Sequence, residues 1–126
     1  MSPIFRYGDP AFEARLLRWR LPLAYDTSHA FITLHGDNER LIASLANLKP
    51  LVRHYHLVDS MGQTHDSLPL GQGRIDWYRV LPQLNPNASR IYEIGLKNQF
   101  DCQEMIASHH YLEKVAAKLA AAKHPA

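Results

Sequence analysis

Two rhythms of apolar residues alternate along this chain: stripes at three- and four-residue steps, and short continuous runs. Asp9 can cap a helix with Pro10 at its first position, where a residue lacking an N–H loses nothing. Phe12, Leu16 and Leu17 continue it as an apolar stripe that ends near Arg20. Residues 21–26 then read as a strand ending at Asp26, and residues 27–36 as a loop with a helical turn. Asp37 or Asn38 opens a second helix with Leu41, Ile42 and Leu45 inward, and Pro50 closes that segment. Residues 52–58 are β-branched and aromatic, which suits a strand. Asp76 caps a helix carrying Trp77, Val80, Leu81 and Leu84, and Asn85-Pro86-Asn87 is a turn. Residues 90–95 form the third strand. A last helix starts near Asp101 and runs to about Ala121, with Met105, Leu112, Val115 and Leu119 on one face.

The order is therefore α-β-α-β-α-β-α. Strand starts recur 31 and 38 residues apart, the length of a βα unit, so three parallel strands flanked by helices are expected. A chain of 126 residues has room for one domain, and 46% apolar residues can furnish its core. The net charge of +2, with Lys and Arg scattered, gives no argument for nucleic acid. The single Cys102 cannot form an internal disulfide, no apolar run reaches membrane-spanning length, and MSPIFRYGDP lacks the basic and apolar regions of a signal peptide. A cytoplasmic protein is the expectation, with no membrane partner.

Chemistry gathers at the strand ends. The first strand closes on Asp26-Thr27-Ser28-His29, the second carries His54-Tyr55-His56, and the third holds Glu93 inside an apolar run. Asp26, His56 and Glu93 lie 30 and 37 residues apart, one βα unit each, so they can converge at one sheet end. Two carboxylates and an imidazole suit a divalent cation such as Mn²⁺, Mg²⁺, Zn²⁺ or Co²⁺. Each has a plainer alternative. Asp26 could cap a turn, and His56 could be a hydrogen-bonded core histidine. Glu93 has the weakest alternative, because a carboxylate buried in Ile-Tyr-Glu-Ile needs a partner or a metal. His54 shares a face with His56 and is expected to be structural. His29 can reach the same mouth, and His65 sits in the following loop. Gly71-Gln72-Gly73 lacks the Lys and Ser/Thr of a phosphate loop and reads better as a tight turn before the helix capped by Asp76. Arg53, Arg74 and Lys97 are expected to be solvated surface charges.

Taken in order, Tyr25-Asp26-Thr27-Ser28-His29-Ala30, His56-Leu57-Val58-Asp59-Ser60, the segment from Pro69 through Gly71-Gln72-Gly73 to Trp77, and Ile91-Tyr92-Glu93 resemble xylose-isomerase-like TIM barrels. The resemblance runs from about residue 7 to residue 115. It implies a partial (β/α) barrel, its three strands resembling the sixth, seventh and eighth. Asp26, His56 and Glu93 would hold the metal. Glu93 would also act on the substrate, and His29 would contact the substrate or a second metal. The implied activity is metal-dependent isomerisation or epimerisation of a sugar or sugar phosphate, with proton transfer next to a carbonyl. A further Glu that the family supplies from an earlier strand has no counterpart here. The rivals are an endonuclease IV-like phosphodiesterase acting on abasic DNA and a non-catalytic assembly fragment. Thr64-His65-Asp66 differs in spacing from the endonuclease's Asp-x-His. Three strands cannot close a barrel, so a homo-oligomer or a complementary barrel half is the expected partner.

Overall fold

A computed structural model describes residues 5–123; the first four residues of the N-terminal stretch read above lie outside it. The first helix, α1, spans Pro10–Trp19, and the Asp9 carboxylate accepts from the N–H groups of Ala11 and Phe12. Strand β1 is Leu23–Asp26 and β2 is Val52–Leu57. Between them lie α2, Thr27–Thr33, and α3, Asn38–Leu48, the latter capped by Asp37. After a long loop come α4, Trp77–Val80, strand β3, Ser89–Tyr92, and α5, Gln103–Lys123. The three strands form one parallel sheet in the order β1-β2-β3, as the α-β alternation predicts. The result is a mixed α/β fold with an open sheet and flanking helices.

Three elements depart from the sequence reading. The stretch expected to be a loop after Asp26 is the helix α2, because Asp26 caps it through the His29 N–H and Ala30 and Phe31 are buried. The helix after Asp76 is cut to one turn, followed by a 3-10 turn at Leu81–Gln83 that contains Pro82. The third strand stops at Tyr92, so Glu93 lies just beyond it, its N–H still donating to the Leu57 carbonyl at 3.3 Å.

The two faces of the sheet differ. Tyr25, Tyr55 and Leu57 are fully buried among Leu41, Leu45, Leu48, Trp77, Val80 and Val115 from the helices. On the other face the register sets Ala24 beside His54 and Asp26 beside His56, and then His54 beside Ser89 and His56 beside Ile91. These side chains stay half-buried or exposed, Ile91 at 44%.

Two buried carboxylates organise the periphery. Glu13 of α1 is 3% exposed and accepts from the Gly8 N–H, the Ser44 hydroxyl and the Asn47 amide, tying α1 to α3. The Tyr25 hydroxyl donates to Ser44 in turn, so the network reaches β1. Asp59, two residues past β2, is fully buried and accepts from the backbone N–H groups of Ser60, Gly71 and Ile75 and from the Trp77 indole. A Cβ on Gly73 would lie 2.3 Å from Asp59 Oδ1, which explains a glycine there.

Burial pushes the Tyr7 phenol up to about 12 and the Tyr25 phenol well above its usual value. In the unfolded chain both would ionise near 10.0. The unfolded state therefore binds fewer protons than the folded state above pH 10, and stability falls as the pH rises from there. These two phenols are expected to leave urea midpoints unchanged between about pH 7 and pH 9 and to lower them through the alkaline range, with a smaller drop in Tyr7→Phe.

Candidate metal centre

Asp26, His56 and Glu93 come together at the C-terminal ends of the three strands, on the open face. One ligand atom from each lies within 4.8 Å of the other two. His56 Nδ1 is 3.8 Å from Asp26 Oδ2 and is hydrogen-bonded to Glu93 Oε2. The side chains are 17%, 32% and 54% exposed for Asp26, His56 and Glu93, so the group opens to solvent on the Glu93 side.

Adjacency follows from topology. Parallel pairing puts Asp26 beside His56, and Glu93 follows two residues after Ile91, the His56 partner on β3. Asp26 serves two roles at once: Oδ1 caps α2 through the His29 N–H at 2.9 Å, while Oδ2 is directed toward His56. Cap and ligand were alternatives on sequence grounds, and the geometry admits both. The cap also holds the carboxylate in one orientation, which favours a preformed site.

Glu93 corrects one expectation. It is exposed rather than buried, because it stands past the end of β3 on the open face, and the adjacent Ile91 is itself 44% exposed. The cost of burying a carboxylate therefore gives no argument for a metal at Glu93; only its proximity to His56 and Asp26 does.

His29 does not join the three. Its ring packs edge-on against His65, with centroids 4.3 Å apart, and His65 Nδ1 lies 3.2 Å from the Ser28 hydroxyl. His54 bonds through Nδ1 to the Ser89 hydroxyl at 2.7 Å, in keeping with a structural role one step deeper in the sheet. Gly71-Gln72-Gly73 wraps the Asp59 carboxylate, with Gly71 at φ +91° donating its N–H to Asp59 Oδ2. Arg53, Arg74 and Lys97 are exposed.

Two buried residues near the strand ends carry weaker sequence signals. Asp59 was visible only as part of a motif. Its clue is an acid just after a strand, followed by a glycine-containing loop with N–H groups to offer. Thr27 looked like a loop residue, yet it is fully buried beside the site. The loop after β2 is anchored by backbone pairing of Asp59 with Leu68, by Arg74 N–H to the Ser60 carbonyl, and by Gly95 N–H to the Ser67 carbonyl at 2.9 Å. It thus reaches across to the segment that follows Glu93.

Comparison with protein-family models, curated proteins and solved structures finds no match for this chain. No helix among the described residues is long and apolar enough to cross a membrane.

Proposed function

We propose that this chain is the part of a xylose-isomerase-like (β/α) barrel that corresponds to strands six to eight. In this reading it serves metal-dependent isomerisation or epimerisation of a sugar or sugar phosphate. The observation that carries the reading is a carboxylate, an imidazole and a carboxylate gathered at the C-terminal ends of three successive parallel strands on one sheet face, Glu93 standing one residue past β3. That donor set fits a divalent cation: hard carboxylate oxygens with one imidazole nitrogen. Asp26, His56 and Glu93 would hold it. A bound divalent ion supplies Lewis-acid polarisation of a carbonyl, which acidifies the neighbouring C–H.

The protein's own part is proton handling and positioning. Glu93 Oε2 is the oxygen turned toward His56, and Oε1 would accept a proton from the carbon beside a carbonyl and return it to the neighbouring carbon on the same face, whereas delivery to the opposite face needs a second acid. Asp26 stays fixed by its cap. His29, beside His65 at the rim, would contact a substrate hydroxyl or phosphate. Epimerisation and isomerisation of this type use a second carboxylate, and its lack of a counterpart here favours weak turnover by this chain alone. In the barrel reading, the outer edges of β1 and β3 would pair with a complementary half or a second copy.

The test is exchange of substrate C–H protons with deuterated solvent, followed by NMR on ketoses and sugar phosphates with Mn²⁺, alongside sedimentation to register association. Metal-dependent exchange is expected, and Glu93→Gln should lower it by about 100-fold or more. Nicking of abasic DNA that is lost in Glu93→Gln would replace this reading with the endonuclease. Neither activity with any divalent metal would leave the assembly role in its place.

A further inference from the structure

We infer that Thr27 is a positioning residue for the metal centre, its buried hydroxyl bridging the ends of β1 and β2 and so fixing Asp26 against His56. The inference rests on the reading of Asp26, His56 and Glu93 as a metal centre.

Strand β1 ends at Asp26, and the chain turns at once into α2. The Val58 N–H on the neighbouring chain segment therefore loses the backbone acceptor that a longer β1 would have offered. The Thr27 hydroxyl takes that place: it accepts from the Val58 N–H at 3.1 Å and lies 2.8 Å from the Val58 carbonyl, to which it donates. The His56 carbonyl is also within reach, at 3.3 Å. Thr27 and Val58 are both fully buried, so water cannot substitute for this exchange.

Its position makes the clamp matter for the site. Thr27 is covalently next to Asp26, and its hydroxyl grips the backbone of His56 and Val58 on either side of Leu57. Backbone pairing in β1 stops where the ligands begin, and the side chain carries the register one step further. The 3.8 Å separation of Asp26 Oδ2 from His56 Nδ1 is therefore held by Thr27 as well as by the Asp26 cap. Groups behind metal ligands commonly change affinity when removed, because they fix the ligands' orientation.

The experiment compares wild type, Thr27→Val, Thr27→Ser and Tyr55→Phe. Thr27→Val removes the hydroxyl at nearly constant shape, and Thr27→Ser restores it. Tyr55→Phe removes a different buried hydroxyl of β2, the one that accepts from the Asn85 N–H on the opposite sheet face. It controls for a general loss of stability. Mn²⁺ affinity is read by titration, and the His56 imidazole resonances are read by NMR without metal. Thr27→Val is expected to weaken Mn²⁺ binding about 10-fold and to shift the His56 resonances. Thr27→Ser and Tyr55→Phe should stay within about 2-fold of wild type, with His56 unmoved. If Thr27→Val lowers stability as Tyr55→Phe does but leaves both affinity and His56 resonances unchanged, the inference is overturned. If wild type takes up no Mn²⁺, the proposed function falls. The His56 resonances then decide the inference alone: a shift in Thr27→Val that Thr27→Ser reverses supports it, and no shift overturns it.

Discussion

Replacing His56 by alanine is expected to lower Mn²⁺ affinity by about 100-fold or more, while the chain stays folded. His56 is the middle member of the three, hydrogen-bonded to Glu93 and 3.8 Å from Asp26. Without the imidazole, two carboxylates face each other with no nitrogen donor between them. The ring is 32% exposed and lies on the open sheet face, so its removal opens no buried cavity and the folding penalty should be small. Isothermal titration of the two proteins, with a urea midpoint for each, separates the effects. Affinity should also fall as the pH is lowered, because an imidazole must be neutral to ligate. Equal affinity in wild type and His56→Ala would remove His56 from the ligand set.

Asp59→Ala should have the largest effect on stability, on the order of 4 kcal/mol. The Asp59 carboxylate is fully buried and receives four donors, three from backbone and one from the Trp77 indole. Alanine would leave the buried N–H groups of Ser60, Ile75 and the Trp77 indole without an acceptor, and each such loss costs about 1–3 kcal/mol. Domains of this size are stable by only about 5–15 kcal/mol, so the variant should be marginal or unfolded. Asp59→Asn keeps one oxygen but turns an amide N–H₂ toward donors, and should fall between the two. Urea unfolding followed by Trp fluorescence reads both variants, because Trp77 sits at the hub. A change under about 1 kcal/mol in Asp59→Ala would mean that the loop finds other acceptors.

The parallel sheet was legible because its signals are local. Apolar runs at residues 21–26, 52–58 and 90–95 are separated by helical stripes, and the spacing leaves little room for another connection. The meeting of Asp26, His56 and Glu93 follows once the strands are parallel and adjacent. Other features depend on groups distant in sequence. Glu13 looks like a solvated acid in a helix, and its burial is set by Ser44 and Asn47 on α3. Thr27 looks like a loop residue until β2 supplies the carbonyl and N–H of Val58. The exposure of Glu93 was misread because an apolar run suggests two covered faces, and the face holding Ile91 and Glu93 is open. The sequence shows only a helical turn where α2 stands, because its seven residues, TSHAFIT, are too few to show a stripe and begin with residues that favour turns.

Asp26, His56 and Glu93 are proposed to form one divalent-metal site. The most direct measurement is a crystal structure of the wild-type chain soaked in Mn²⁺, with anomalous data collected at the manganese edge. One strong anomalous peak is expected between the Asp26 carboxylate, the His56 imidazole and the Glu93 carboxylate, with ligand distances of about 2.2 Å. A well-ordered site with no anomalous density among these three side chains, at a metal concentration that labels other sites, would contradict it.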